Sequence, residues 1–280
     1  MTEPFATWIE RDVVTLTGPD AGSFLQGQLS QDVEDLPVGA STWSLLLQPS
    51  GKVDAWLRVT RTGEAAFELD VDGGFGDAVA ARLQRFKLRT ACDIEVSTVR
   101  PFLAVRGVAV DDPGARPIVW PGTSGADLPG DAGSAREVAP PAGVGVERAE
   151  VYERARIQAG VPAMGRELTA QTIPVEAGQW LIDASVSFTK GCYTGQELVA
   201  RIESRGGQAP RPVRGLRVEG AARAGDRVVA DGVEVGTLTS VSGLDDGTTV
   251  ALAPLPRAVR IGAEVDVGGR RGTVVALPMT

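Results

Sequence analysis

The segment Lys190 to Arg201, KGCYTGQELVAR, sets a lysine, a cysteine and a tyrosine close together in front of a helix-starting pattern. A thiol acts as a nucleophile only as its thiolate, and two neighbours here favour that form. Lys190 stands two residues upstream of Cys192. Thr194 to Glu197 is a Thr-x-x-Glu capping box, which makes Thr194 the predicted N-cap of a helix. An ammonium and the positive end of a helix dipole both lower a thiol pKa from its usual value of about 8.5. The arrangement predicts a reactive, at least partly exposed Cys192. The opposing reading is a buried structural cysteine before an ordinary capped helix, and spacing alone leans to it, because most lone cysteines are core. Cys92 alternates with Ile94 and Val96 and reads as core.

The chain has no histidine and two cysteines in 280 residues. Ser-His-Asp and Cys-His catalysis are excluded, because nothing can act as the imidazole base. Histidine-ligated zinc, iron and haem are excluded too. Two thiols fall short of the roughly four that an iron–sulfur cluster needs, so no intrinsic metal is expected. The net charge of -8 disfavours sequence-independent binding to nucleic acid or to an anionic membrane, and neither is expected as a direct partner. A local basic patch stays open, although Arg211 to Arg217 and the pair Arg270 and Arg271 read as solvated surface. The N-terminus lacks a signal-peptide pattern, and no apolar run is long enough to span a bilayer. The expectation is a cytoplasmic protein with reduced thiols.

The motif must be held by the elements around it. Ala184 to Thr189, ASVSFT, alternates and predicts a strand with Val186 and Phe188 on one face, which Lys190 and Cys192 continue. The capped helix is expected to end near Gly206, with Glu197 and Arg201 as an i, i+4 ion pair. Upstream, Pro19 to Leu29 has Ala21, Phe24, Leu25 and Gln28 at helical spacing. Ser44 to Leu47 and Val53 to Val59 predict a hairpin around Ser50-Gly51, and Phe67 to Val71 and Ala91 to Thr98 predict further strands. Asp77 to Lys87 is an amphipathic helix with Val79, Leu83 and Phe86 on one face, and Glu150 to Ala159 is a helix ended by Gly160 and Pro162. Residues 111–145 are rich in Gly, Pro, Ala and Asp and predict long loops around short elements. After Gly206-Gly207, the strand Val213 to Val218 and the turns Asp231-Gly232 and Gly268-Gly269 predict a small antiparallel β-barrel or sandwich. The expected class is α+β, with a body over 1–207, which reads as two interleaved subdomains, and a barrel over 208–280.

The KGCYTGQE stretch resembles the signature of the YgfZ-type folate-binding proteins, relatives of the glycine-cleavage aminomethyltransferase that are linked to iron–sulfur protein maintenance. Lys190, Gly191, Cys192, Tyr193, Gly195, Gln196 and Glu197 match it without a gap. The likeness extends to Gly18 to Leu36, to the hairpin Leu45 to Val59, to Arg154 to Gly178 and to the closing strands. It implies an aminomethyltransferase-like multi-domain body and a C-terminal β-barrel around a central, folate-sized opening.

What the resemblance implies for function is a tetrahydrofolate-binding protein, for that cofactor or a derivative, whose partners are iron–sulfur clients or assembly proteins. Cys192 would be the reactive group with Lys190 in support. Gln158, Glu176, Tyr193, Gln196, Glu197 and Arg201 would form the folate site and its scaffold, with Trp43 and Trp56 as apolar walls. Two departures stand out. The family's pterin-binding glutamate is Gln158 here, whose amide hydrogen-bonds a pterin edge without a charge. The aspartate essential to the transferases falls at Ala55 or Trp56, with Asp54 out of register. The competing functions are a folate-dependent one-carbon transferase or demethylase, which would rest on Asp54, and an interaction scaffold that has lost folate.

Overall fold

The structure is a computed structural model and describes residues 3–130, 138–204 and 206–279. The described strands form two sheets. The first contains β1 (Phe5–Thr17), β2 (Ser41–Leu47), β3 (Val53–Gly63), β4 (Ala66–Asp72), β5 (Asp93–Arg106), β6 (Arg116–Pro117), β7 (Gly125–Pro129) and β8 (Gly145–Val146). Its order is β2-β3-β4-β1-β5-β7-β6, and β8 pairs with β1 in parallel. The second contains β9 (Val213–Val218), β10 (Arg227–Ala230), β11 (Val233–Thr237), β12 (Ser240–Gly243), β13 (Thr249–Pro254), β14 (Glu264–Val267) and β15 (Arg271–Val275), in the order β11-β10-β14-β15-β9-β13-β12. All its pairings are antiparallel. The class is α+β, with a curled, half-barrel sheet at the C-terminal end.

The central strand of the first sheet is β1, which sequence alternation did not reveal. Val13 and Val14 are adjacent and both buried, so one lies on each side of the sheet. A strand covered on both faces loses the period-two signal. Around it lie α1 (Ala21–Gln28), α2 (Gly76–Phe86), α3 (Ala149–Ala159), α4 (Gln179–Ser185) and α5 (Gln196–Glu203), with a 3₁₀ turn at Pro174–Ala177. Ala21, Phe24 and Leu25 of α1 and Val79 and Leu83 of α2 point into the main core, as their spacing predicts. Gly160 ends α3 in the left-handed conformation, φ 74°, the ordinary glycine stop.

Two predicted local structures differ. Ala184 to Thr189 is not a strand: its first two residues end α4, and the remainder is irregular, with Val186 buried and Phe188 exposed. The last helix starts at Gln196 and stops at Glu203, so it is shorter at both ends than the capping box predicts.

The two sheets meet across α3. Ile157 packs with Val213, Val250 and Leu252 of the second sheet. Next to it, Arg156 donates to Ser240 Oγ at 2.7 Å and approaches Glu167, whose carboxylate also accepts from Thr239 and Ser240. With Ala163 N as a fourth donor, this buried carboxylate is satisfied and ties α3 to the second sheet.

Candidate functional site

The cysteine loop is anchored at the C-terminus of α1. The last carbonyls of a helix have no partner within it. Lys190 Nζ supplies one, donating to Gln26 O at 2.8 Å, Leu29 O at 2.7 Å and Gln31 O at 2.9 Å. An ammonium has three donors, and all three are used. Burial pushes its pKa down to about 8, with Asp32 and Glu34 opposing. The same ammonium lies 5.4 Å from the ring centroid of Tyr193, whose phenol burial pushes up to about 12.

The far side of the loop is seated on the β2–β3 turn. Thr194 N donates to Gly27 O at 3.2 Å, and Gln196 Oε1 accepts from Tyr193 N at 3.3 Å. Gly195 has φ 83°, and a Cβ there would lie 2.5 Å from Gln48 O. Gly51 has φ 80° and faces Leu198 with no room for a Cβ. Both positions demand glycine for conformation and for space. Between the two anchors, Cys192 is a free, exposed thiol, while Cys92 is buried and its thiol is pushed up by burial.

These contacts correct the expected caps. Gly195, not Thr194, occupies the N-cap, and no side chain caps the helix. The left-handed glycine delays the helix by one residue, so Cys192 stands three residues before its cap rather than two. Glu197 and Arg201 are exposed and form no ion pair with a described residue.

Gln158 and Glu176 lie elsewhere, and none of their hydrogen bonds reaches the loop. Gln158, half-buried on α3, accepts from Met279 N at its main-chain oxygen, 2.7 Å, and its amide has no hydrogen-bond partner among the described residues. Glu176 Oε2 accepts from Ile173 N at 3.2 Å, closing the 3₁₀ turn as its cap. Burial pushes the Glu176 carboxyl up, against main-chain hydrogen bonds at Ile173 and Arg211. It lines a cavity of about 380 Å³ with Arg166, Gln171, Arg211 and Thr239, where the body meets the second sheet. Gln158 does not line that cavity.

Trp43 and Trp56 are buried and stacked, with centroids 4.3 Å apart, and Trp180 meets Trp56 edge-on at 5.8 Å. Both buried indoles are satisfied: Trp43 Nε1 donates to Pro117 O and Trp56 Nε1 to Ser185 Oγ. Ala55, beside Trp56, is fully buried, so no acid stands at that position. Asp54 is held by Arg82 at 3.1 Å.

Sequence reasoning missed the charged centre beside the tryptophans. Arg58 is fully buried, donates to both oxygens of Asp70 at 3.0 Å, and reaches Asp127 at 3.0 Å. Arg11 and Arg116 also pair with Asp70. Burial pushes the Asp70 carboxyl up, but the three guanidiniums outweigh it and hold it well below the usual carboxylate range. Arg58 and Asp70 stand directly opposite on β3 and β4, a pairing that the sequence does not signal until the strands are aligned. Among the described residues no group of three or more acidic or thiol side chains could hold a metal ion, and no helix is long and apolar enough to cross a membrane.

No family model matches the chain. An uncharacterized protein of Haemophilus influenzae is 30% identical over 202 residues, covering 72% of this chain and 69% of that one. A tRNA-modifying protein YgfZ of Serratia proteamaculans is 31% identical over 216 residues, 69% of this chain and 65% of that protein. The chain therefore spans just under two thirds of the Serratia protein's length. The crystal structure of the glycine cleavage system aminomethyltransferase T from Bartonella henselae superposes with a TM-score of 0.75 over 99% of this chain and 86% of that one, at 22% identity. That likeness shows the fold.

Proposed function

Because the chain belongs to the YgfZ-type, aminomethyltransferase-like family, we propose that it is a cytoplasmic tetrahydrofolate-binding protein that supports the assembly or repair of iron–sulfur enzymes, including enzymes that modify tRNA. The observation that carries this reading is the double anchoring of the cysteine loop. Three main-chain carbonyls grip Lys190 and two glycines seat the far end, yet Cys192 between them is exposed and unpaired. A structural cysteine would be buried; this one is held in position and offered to solvent. Lys190 serves as the positioning residue, and Tyr193 and Gln196 brace the loop.

The chain offers groups that fit a pterin. The half-buried Gln158 amide is unpartnered, and an amide both donates to and accepts from a pterin edge. Glu176, held by main-chain N–H groups at Ile173 and Arg211, lines a separate cavity. Bound tetrahydrofolate would supply one-carbon or reducing chemistry; these residues would only orient it. The buried Ala55 removes support for ordinary aminomethyl transfer, and the Arg82 pair ties up Asp54, the acid a demethylase would need.

The test is an anaerobic calorimetric titration with tetrahydrofolate, beside a Gln158→Ala/Glu176→Ala variant. Binding lost in the variant is the expected result. No binding at millimolar ligand would leave the interaction scaffold, a reading that the close packing of Trp43 on Trp56 favours. Independently, a Cys192→Ala protein should fail to restore iron–sulfur enzyme activity in a deletion strain.

A further inference from the structure

A groove of about 630 Å³ between the β2–β3 turn and α2 has no role in the reading above. Gln48 and Ser50 line one wall; Val79, Arg82, Arg85 and Phe86 line the other, with Asp54 on its floor. The groove's one carboxylate is already neutralised. Arg82 donates to Asp54 at 3.1 Å, to Gln28 Oε1 at 3.3 Å and to Leu47 O at 3.1 Å, and its guanidinium stacks on Phe86 at 3.7 Å. Arg85 is exposed and makes no ion pair with a described residue. Lys87 and Arg89 follow it, so the stretch Arg82 to Arg89 carries four cations and no acid in a chain of net charge -8. Leu88, between the last two, is 90% exposed.

This groove and the cysteine loop share a wall. Gly195 packs on Gln48 O and Leu47, the turn that forms the groove's edge. Cys192, three residues before Gly195, is within about 11 Å of it by chain length alone.

We propose that the groove binds the phosphodiester chain of RNA and lays it alongside the Cys192 loop. Arg85 lines the groove, and Lys87 and Arg89, which follow it in the chain beyond the lining residues, extend its positive charge toward a phosphate backbone. The guanidinium–phenyl stack and the exposed Leu88 offer apolar faces to unstacked bases, which an acidic peptide would not use. The choice of RNA among polyanions rests on the functional reading above; the charge and shape of the groove do not. The net charge, which along the sequence disfavours sequence-independent binding to nucleic acid while leaving a local basic patch open, averages this patch away. Its consequence is instead weak, strongly salt-dependent binding.

The test is fluorescence anisotropy of a labelled tRNA anticodon stem-loop with the full chain at low and moderate salt. The variant is Arg85→Ala/Lys87→Ala/Arg89→Ala, three surface changes that leave the Arg82 contacts intact. The expected result is at least a roughly tenfold loss of affinity, with a salt slope shallower by about 2, from three phosphates at about 0.7 each. Arg85→Glu alone should weaken binding several-fold. Three results would overturn the proposal: no binding by the wild type at low salt, unchanged binding by the triple variant, or competition by polyglutamate as effective as by unlabelled RNA. Tetrahydrofolate titration of the same proteins is scored separately. RNA binding without folate binding supports the groove while removing the folate reading, so the two fail independently.

Discussion

Asp70 and Lys190 are both charged groups gripped by several partners, but the grips differ in kind. Asp70 is fully buried and faces three guanidiniums from three different strands. Lys190 is half-buried, and all three of its hydrogen bonds go to main-chain carbonyls at and just beyond the end of one helix. The first arrangement joins β1, β3 and β6 through one carboxylate, so its loss is felt across the sheet. The second pins a loop to a helix end, so its loss is local. A buried multi-strand ion cluster sets global stability, whereas a main-chain anchor sets where one exposed thiol stands.

The largest effect should come from Asp70→Asn, which keeps the shape but leaves three buried guanidiniums undercompensated. Removing one partner of a buried charge cluster costs roughly 3–5 kcal/mol. Chemical denaturation should show it, and a loss under about 1 kcal/mol would erase the distinction drawn between the two sites. The effect carries a pH signature. The Asp70 carboxyl is depressed in the folded state, so its stabilisation is fully present above the unfolded value of about 3.9 and is lost as pH falls through the lower folded value. The gap between wild type and variant should therefore be constant near neutrality and close only in strong acid.

Gly195→Ala ranks next. It forces a side chain into φ 83° and against Gln48 O, with a cost of about 1–3 kcal/mol. Lys190→Met should cost about 1–2 kcal/mol, reduced from the value for three charged hydrogen bonds because the ammonium is partly solvated. Its sharper readout is local: the Thr194 amide, bonded to Gly27 O, should exchange faster, while amides of β1 keep their protection. If β1 exchanges faster to the same degree, the anchor is part of the global fold and the contrast with Asp70 fails.

The contrast also explains what could be read along the chain. Anchors made by neighbours in sequence, such as Gly160 after α3 or the turn at Asp231-Gly232, leave compact signals, and the helices α1 to α3 and the strands after Val213 follow them. The cysteine stretch was legible as a unit for the same reason. The grip on Lys190 was not, because Gln26, Leu29 and Gln31 lie more than a hundred and fifty residues away. The ion cluster needs the order of the strands, and β1, which sits between β4 and β5, was itself hidden by burial of both faces. Asp54 shows the reverse error: local spacing offers a carboxylate beside the hairpin, and Arg82 from α2 claims it.

The smallest predicted effect is the most discriminating for the loop. The pattern Thr194-x-x-Glu197 argues that Thr194→Ala should remove a helix cap, at about 1 kcal/mol. The geometry assigns the cap to Gly195, gives the Thr194 side chain no capping bond, and uses only its main-chain N–H. That N–H survives in alanine. The loss should stay within about 0.5 kcal/mol, the range of an ordinary surface change. Thermal melts of Thr194→Ala and Gly195→Ala, measured together, should therefore separate by several degrees in favour of Thr194→Ala. Equal losses would mean that the helix starts where the pattern says, which would bring Cys192 back within two residues of its positive end.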